Sequence, residues 1–210
     1  YSYKKLAFEM EIQDYGIIIF KSPFGENSAI IKILSKEHGI YSGIVKNIFT
    51  KYNRAAFMLG NTVHFSWKAR LSEHLGTIVG ELVYPGASYL MVNVTNLLAL
   101  SSIFELIVLS FHEHERLTTL YEEVENFISH MASNKFSFKL YMNIELLILK
   151  LAGYSLDFSK CAVSQQTTNL KFVSPKSGKA VSYEAGYPYK AKLLPLPEFL
   201  LTPSAEAKTK

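Results

Sequence analysis

The chain has 210 residues and a mass of 23.7 kDa, which is enough for one large domain or two small ones with a packed core. Apolar residues make up 49% and charged residues 19%, a balance that excludes a disordered chain. A single cysteine, Cys161, excludes a disulfide framework and a four-thiolate zinc site. Because no run of 18 apolar residues occurs and the first ten residues lack the apolar stretch of a secretory signal, we expect a cytoplasmic protein without a membrane partner.

The net charge of +4 is unevenly distributed along the chain. Residues 1–80 carry ten basic and six acidic side chains, whereas residues 81–160 carry five basic and nine acidic ones. Residues 161–210 are again basic, with seven basic and three acidic side chains. The N-terminal and C-terminal parts of the chain are thus basic, and the part between them is acidic. This distribution predicts a polyanion-binding surface that is built from two parts of the chain.

The first 85 residues are typical of a β-rich domain. The fourth predicted strand alternates apolar Val63, Phe65 and Trp67 with polar side chains, which is the period of a half-buried strand. A short helix is expected over 54–59, ended by Gly60. The five predicted strands cover residues 13–21, 27–35, 38–46, 61–71 and 75–84. Five strands with a helix between the third and fourth predict an OB barrel, and a five-stranded SH3-like barrel remains the alternative.

The pattern changes after Pro85-Gly86, so we expect a second domain over 86–210, following an OB-fold nucleic-acid-binding domain over 1–85. Apolar residues at spacings of three and four predict helices over 97–111, 115–131 and 137–151. Five of the seven prolines lie between Pro175 and Pro203, which indicates an irregular basic loop region over 161–203. The predicted fold class is α+β, with an N-terminal OB barrel followed by an α-helical C-terminal domain.

Three short motifs do not have the residues or the spacing of catalytic or metal sites. In His112-Glu113-His114-Glu115 the histidines are two residues apart and point to different helix faces, whereas a zinc helix needs a spacing of four. Ser177-Gly178-Lys179 lacks the leading glycine and the final hydroxyl residue of a phosphate loop. No nucleophile signature surrounds Cys161, which is better interpreted as a small buried apolar residue. We therefore expect neither an enzyme nor a cofactor, and no metal site.

Basic and aromatic side chains interleave near the end of the third strand, in a pattern typical of nucleic-acid binding. Trp67 is expected to face the core, while Lys68 and Arg70 face outward on the same strand. The C-terminal part of the chain contains a second basic loop, Ser174-Pro175-Lys176-Ser177-Gly178-Lys179. The predicted nucleic-acid-binding residues are Lys46, Lys51, Tyr52, Arg54, Lys68, Arg70, Lys176 and Lys179.

The ordered set of motifs resembles the RecO family of bacterial recombination mediators. The motifs run from about residue 14 to residue 201, and single pieces are less specific than their order. The most distinctive piece is FVSPKSGKAVS, followed by Ala185-Gly186. The other pieces are DYGII at 14–18, GENSAI at 25–30, EHGIYSG at 37–43, WKARL at 67–71, LYE at 120–122 and LDFSKC at 156–161.

This resemblance implies an OB domain, a helical C-terminal domain and a non-catalytic role in DNA repair. It implies binding of single- and double-stranded DNA, annealing of complementary strands, and work with RecR to load RecA on strands coated by single-strand-binding protein (SSB). Some relatives contact the acidic tail of SSB directly, and no motif places that contact here. Relatives with a structural zinc use four cysteines, so the loss of all but Cys161 implies that zinc is absent. The usual family start lies at Met10, so residues 1–9 are expected to be either an extension or non-native residues, and residues 202–210 are expected to be a polar tail where relatives usually continue.

Two other functions remain open from the sequence. One is a protein-docking adaptor that uses the acidic helical middle, with Glu122, Glu123 and Glu125 as its contact surface. The other is an OB-fold RNA-binding protein, which a comparison of DNA and RNA affinities would distinguish.

Overall fold

The computed structural model describes residues 10–71, 74–133 and 136–201. The expected extension over 1–9 and the polar tail over 202–210 lie outside these residues. The described residues form two compact units, one up to Ile148 and one from Leu149 onward.

A closed barrel of five strands forms the first part of the chain. Neighbouring strands are antiparallel except β3 and β5, which run parallel, and the order around the barrel is β1-β2-β3-β5-β4. The helix α1, Lys51–Ala56, lies between β3 and β4 in the chain. The strands are β1 (Met10–Phe24), β2 (Ser28–Ser35), β3 (Gly39–Lys46), β4 (Thr62–Ala69) and β5 (Gly76–Tyr84). This layout is an OB fold, so the predicted barrel is confirmed.

The side-chain pattern of the strands explains how the barrel is filled. In β4 the side chains of Val63, Phe65 and Trp67 are buried inside the barrel, which confirms the period of two and the interior position of Trp67. In β1 the apolar run is buried on both faces, because Ile18 faces the barrel interior while Ile17 and Ile19 face the helices. The continuous apolar run of β1 is therefore the consequence of helices covering the outside of the barrel.

Between residues 86 and 151 the described part of the chain forms four helices, and an apolar core joins them to the barrel. The α4 positions Leu120, Val124 and Met131 are fully buried, as the spacing of three and four predicts. None of the helices among the described residues is both long enough and apolar enough to cross a membrane. The helices are α2 (Gly86–Leu90), α3 (Val94–Ser110), α4 (Thr118–Ala132) and α5 (Phe138–Leu151).

Several boundaries differ from the sequence prediction, and three of the differences have a clear structural setting. The strand β1 continues to Phe24 beyond its predicted end at residue 21, so Ser22 and Pro23 pair with β2. The helix α1 ends at Ala56, four residues before Gly60. The predicted helix over 115–131 begins only at Thr118. The residues before it run beside β3, where Glu113 pairs with Ile40 and the backbone N–H of His114 donates to the Ile40 carbonyl at 3.0 Å. Contacts across the fold therefore override the helical pattern of residues 115–117.

A buried carboxylate, Asp14, closes the turn between β2 and β3. It accepts hydrogen bonds from the backbone N–H groups of Tyr15 at 2.7 Å and Glu37 at 2.8 Å, and from the Ser35 hydroxyl. The His38 ring nitrogen Nδ1 lies 3.2 Å from the same carboxylate. Burial alone would raise the pKa of Asp14, but these hydrogen bonds outweigh it and lower the pKa.

The second unit is assembled from short elements around a small apolar core that includes Cys161. A three-stranded sheet of order β7-β6-β8 lies in this unit, and the sequence analysis did not predict it because each strand has four residues or fewer. The elements are β6 (Leu170–Val173), β7 (Ala180–Ser182), α6 (Tyr183–Gly186), a 3-10 helix over Tyr187–Lys192, β8 (Leu194–Pro195) and a second 3-10 helix over Glu198–Leu200.

Candidate nucleic-acid interface

Four of the predicted DNA-binding residues lie within nine positions at the connection from β3 to α1. All four side chains are exposed, and Tyr52 exposes 55% of its surface. The three cations have no ion-pair partner among the described residues, so their charge is not neutralised by neighbouring carboxylates. We name this set the α1 cluster; its members are Lys46, Lys51, Tyr52 and Arg54.

Hydrogen bonds hold the turn that presents the α1 cluster. The side-chain amide of Asn53 donates to the carbonyls of Lys46 at 3.0 Å and Asn47 at 3.2 Å. Asn47 has a φ of 52°, a conformation that asparagine tolerates better than most residues. The Thr50 hydroxyl accepts from the backbone N–H of Asn53 at 3.3 Å and caps the first turn of α1. The cluster therefore stands on a turn whose backbone groups are satisfied locally.

An additional cation, Lys21, lies beside the α1 cluster and was not predicted. Its ammonium donates to the Phe57 carbonyl at 3.1 Å. Burial, and after it the nearby charge of Arg54, lowers the pKa of Lys21. The sequence offers no signal for this residue, because it lies on β1 and only the closure of the barrel brings it to α1.

Exposed aromatic rings accompany these charges. Phe49 exposes 68% of its surface and precedes the helix that carries Tyr52. An open apolar groove of about 370 Å³ runs between α1 and β5, with Tyr52 on one wall and Leu82 on the other. Aromatic faces next to unpaired cations can stack on bases while the cations contact phosphates.

The predicted residues Lys68, on β4, and Arg70, just after it, are both exposed. Lys68 makes an ion pair with Glu11 at 3.1 Å, so part of its charge is already neutralised. In the barrel register Lys68 lies opposite Thr77, which lies opposite Ile44, two residues before Lys46. Strand spacing and rise therefore separate the Cα atoms of Lys68 and Lys46 by roughly 12 Å. Arg70 follows the end of β4 and is exposed.

A carboxylate on the same barrel face was missed by the sequence analysis. Glu113 accepts a hydrogen bond from the Ser42 hydroxyl and makes an ion pair with Lys32 at 3.7 Å. Lys32 and Ser42 are register partners on β2 and β3, and Ser42 lies four residues before Lys46 on its strand. Glu113 therefore places a negative charge about 13 Å along β3 from the α1 cluster.

The histidine next to Glu113 has a structural role. The ring of His114 packs against Tyr41, with centroids 4.3 Å apart, and lies 6.0 Å from the ring of Trp67. Trp67 itself donates from Nε1 to the Ser42 carbonyl at 2.9 Å. Among the described residues no group of three or more His, Cys, Asp or Glu side chains is arranged to hold a metal ion.

The two predicted residues of the second unit, Lys176 and Lys179, lie on the turn from β6 to β7 and are exposed. The backbone N–H of Gly178, which has a φ of 67°, donates to the Ser174 carbonyl at 2.8 Å and closes the turn. Asp157 lies near this turn, and hydrogen bonds from Ser159, followed by smaller charge effects that include Lys179, lower its pKa. Lys176 is therefore the less compensated of the two cations.

The thiol of Cys161 is fully buried, as expected. It accepts hydrogen bonds from the backbone N–H groups of Val163 and Ser164, both at 3.4 Å, and of Ser182 at 3.2 Å. Although burial opposes the effect, the hydrogen bonds from Ser164 and Ser182 lower the pKa of Cys161 to about 6. The thiolate is thus stabilised by the backbone that folds around it.

Comparisons with known proteins agree with the resemblance. A family model described as "Recombination protein O N terminal" matches residues 10–85, and one described as "Recombination protein O C terminal" matches residues 92–209. The DNA repair protein RecO of Rickettsia rickettsii (strain Iowa) is 45% identical over 197 residues, which cover 94% of this chain and 82% of that protein. The DNA repair protein RecO of Rickettsia bellii (strain OSU 85-389) is 46% identical over 193 residues, covering 92% and 79% respectively.

Proposed function

This chain belongs to the RecO family of DNA repair proteins, and from that membership we propose that it is a non-catalytic recombination mediator of the RecF pathway. In this proposal it binds single- and double-stranded DNA, anneals complementary strands, and together with RecR helps to load RecA onto SSB-coated single strands. It acts in the cytoplasm at the nucleoid, and it promotes RecA loading without binding RecA directly. Residues 1–85 serve as the nucleic-acid-binding domain, and residues 86–210 form the C-terminal domain.

The observation that carries this proposal is the α1 cluster. Its cations are exposed and free of ion pairs among the described residues, and they lie beside the exposed ring of Phe49. Cations of this kind release counterions when they meet phosphates, which provides affinity without sequence preference. Exposed rings add stacking that is equally tolerant of sequence, as a protein that acts on any strand requires.

The mechanism we propose involves no bond-making step. Annealing is slowed by repulsion between the phosphates of two strands and by bases that are covered by SSB. A protein that holds one strand on the α1 cluster and another on the Lys176 turn would raise the local concentration of each strand for the other. Each unit carries one of these basic areas.

The test is the annealing of complementary SSB-coated strands, with and without this protein, at low salt. The proposal expects faster annealing that declines as the salt concentration rises, because phosphate contacts are screened. Equal rates with and without the protein, under conditions in which it binds single strands, would contradict the annealing role.

A second role, docking of a protein partner on α4, is favoured by one observation. Glu122, Glu123 and Glu125 are exposed and have no ion-pair partner within the described part of the chain. The Tyr121 hydroxyl donates to Glu125 at 3.0 Å, and burial, with the charge of Glu125, raises the pKa of Tyr121, so this proton stays in place. Reversal of the three glutamates to Lys is expected to abolish binding of RecR or SSB and to preserve DNA binding. Unchanged binding of both proteins would refute this docking role.

A further inference from the structure

The helix α6 and the 3-10 helix over Tyr187–Lys192 carry exposed aromatic and basic side chains that the predicted site does not include. Tyr183, Tyr187 and Tyr189 expose 45%, 50% and 63% of their surfaces. Lys190 and Lys192 are exposed as well. We name these five residues the tyrosine–lysine surface.

The spacing within the 3-10 helix over Tyr187–Lys192 places a lysine three residues after each of its two tyrosines. The Lys190 ammonium lies 4.9 Å from the centroid of the Tyr187 ring, in the geometry of a cation–π contact. Residues three apart in a 3-10 helix lie directly above one another, which explains this contact. Tyr189 and Lys192 have the same spacing on the same helix, so the Tyr-x-x-Lys pattern occurs twice.

The rings stand on a packed support. Tyr183 stacks on Phe172 with centroids 6.3 Å apart and an interplanar angle of 19°, and the Tyr187 ring lies 5.1 Å from that of Tyr183. Gly186 allows this approach, because a Cβ atom there would lie 2.5 Å from Cδ2 of Phe172. Pro188 further restricts the backbone of the helix. The Tyr183 and Tyr187 rings are therefore held in place before any ligand arrives, while Tyr189 is the most exposed of the three.

The charge around these rings is positive. Lys190 and Lys192 have no ion-pair partner among the residues that the structure describes. The neighbouring carboxylate of Glu184, in α6, accepts a hydrogen bond from the Asn169 side-chain amide at 2.7 Å. This carboxylate is therefore engaged with Asn169. Exposed rings with unpaired cations one turn away fit bases that are followed by phosphates, and base–aromatic stacking needs no particular sequence.

We propose that the tyrosine–lysine surface is a binding site for the unpaired bases of a single DNA strand, separate from the α1 cluster. The Tyr187 and Tyr189 rings stack on bases, and Lys190 and Lys192 contact the phosphates between them. A duplex hides its base faces, so this surface discriminates in favour of single strands. The proposal rests on the proposed DNA-binding function and adds a further strand site to the α1 cluster and the Lys176 turn.

The test is the affinity of variants for a short oligothymidylate, measured by fluorescence anisotropy at one low salt concentration. Tyr187→Ala combined with Tyr189→Ala is expected to weaken binding by about fivefold or more, the lower end of the effect of removing one stacked ring. Tyr187→Phe combined with Tyr189→Phe is the matched control and is expected to bind like the wild type, because it keeps both rings. Equal affinity of the alanine variant and the wild type would overturn the proposal, as would an equal loss in the phenylalanine control.

A second measurement on the unmodified chain covers the case in which the alanine variant does not fold. An oligothymidylate that carries a photoreactive thymidine analogue is crosslinked to the wild type, and the crosslinked peptides are identified by mass spectrometry. Crosslinks within residues 183–192 are expected. If the wild type binds the strand but crosslinks are absent there, this inference fails while the proposed function stands. If the wild type binds no DNA, the proposed function fails, and this inference fails with it.

Discussion

Replacement of the three cations of the α1 cluster is the most informative perturbation of the proposed interface. The variant is Lys46→Ala, Lys51→Ala and Arg54→Ala in one chain. All three side chains are exposed and none makes an ion pair with a described residue, so their loss leaves no buried or unpaired group behind. Alanine is also the best helix former, which favours α1 in the variant. The fold is therefore expected to persist.

The size of the effect follows from counterion release. Each phosphate that is neutralised on a single strand contributes about −0.7 to the slope of log K against log salt concentration. Three lost contacts therefore reduce the magnitude of that slope by about 2. If the two proteins bind equally at 1 M salt, the variant binds about 50-fold more weakly than the wild type at 0.15 M salt.

The assay is fluorescence anisotropy of a labelled single strand, titrated with each protein at several salt concentrations. The control is a chain with Lys36→Ala, Lys139→Ala and Lys150→Ala, which loses the same charge from exposed positions outside the proposed interface. The control is expected to retain nearly the whole slope. An unchanged slope in the α1 variant, or an equal reduction in both variants, would refute the placement of the strand on α1.

Three other predictions concern the carboxylates and a tight turn near the barrel. Glu113→Gln is expected to strengthen single-strand binding by about threefold at low salt in the anisotropy assay, because it removes a negative charge from the barrel face and the ion-pair partner of Lys32. Equal or weaker binding would contradict this role for Glu113. Asp14→Asn is expected to lower the free energy of unfolding by about 2 kcal/mol in urea denaturation, because Asp14 accepts from several donors. Since folding lowers the pKa of Asp14 from its usual 3.8, the advantage of the wild type is complete at neutral pH and shrinks as the pH falls through and below that value, and an advantage that grows in acid would be inconsistent with this. Gly39→Ala is expected to lower the free energy of unfolding by at least about 2 kcal/mol in the same assay, because Gly39 has a φ of 85° and the alanine Cβ would overlap the Glu115 carbonyl. A fully stable variant would show that this turn is not constrained.

The sequence predicts most of the barrel because its signals are local. The alternation in β4 and the apolar spacing in α4 each depend on a single periodicity, and the structure has both. The start of α4 is different, since residues 115–117 are expected to be helical but follow a segment in which Glu113 pairs with Ile40 and His114 packs on Tyr41. Such contacts join residues about seventy positions apart, and a local pattern carries no information about them.

The candidate site divides in the same way. The α1 cluster could be found from the sequence, because its members are close in the chain. Lys21 and Glu113 could not, because they reach the barrel face from β1 and from the connection between α3 and α4. The pairing of Lys68 with Glu11 also depends on strand register, which the sequence leaves undetermined.

The most direct measurement of where the strand lies is the reactivity of individual lysines toward an amine-acylating reagent, quantified by mass spectrometry with and without an oligothymidylate. The account predicts that the strand protects Lys46 and Lys51 and leaves Lys139 and Lys150 as reactive as before. Equal reactivity of Lys46 and Lys51 in the free and DNA-bound protein would contradict it.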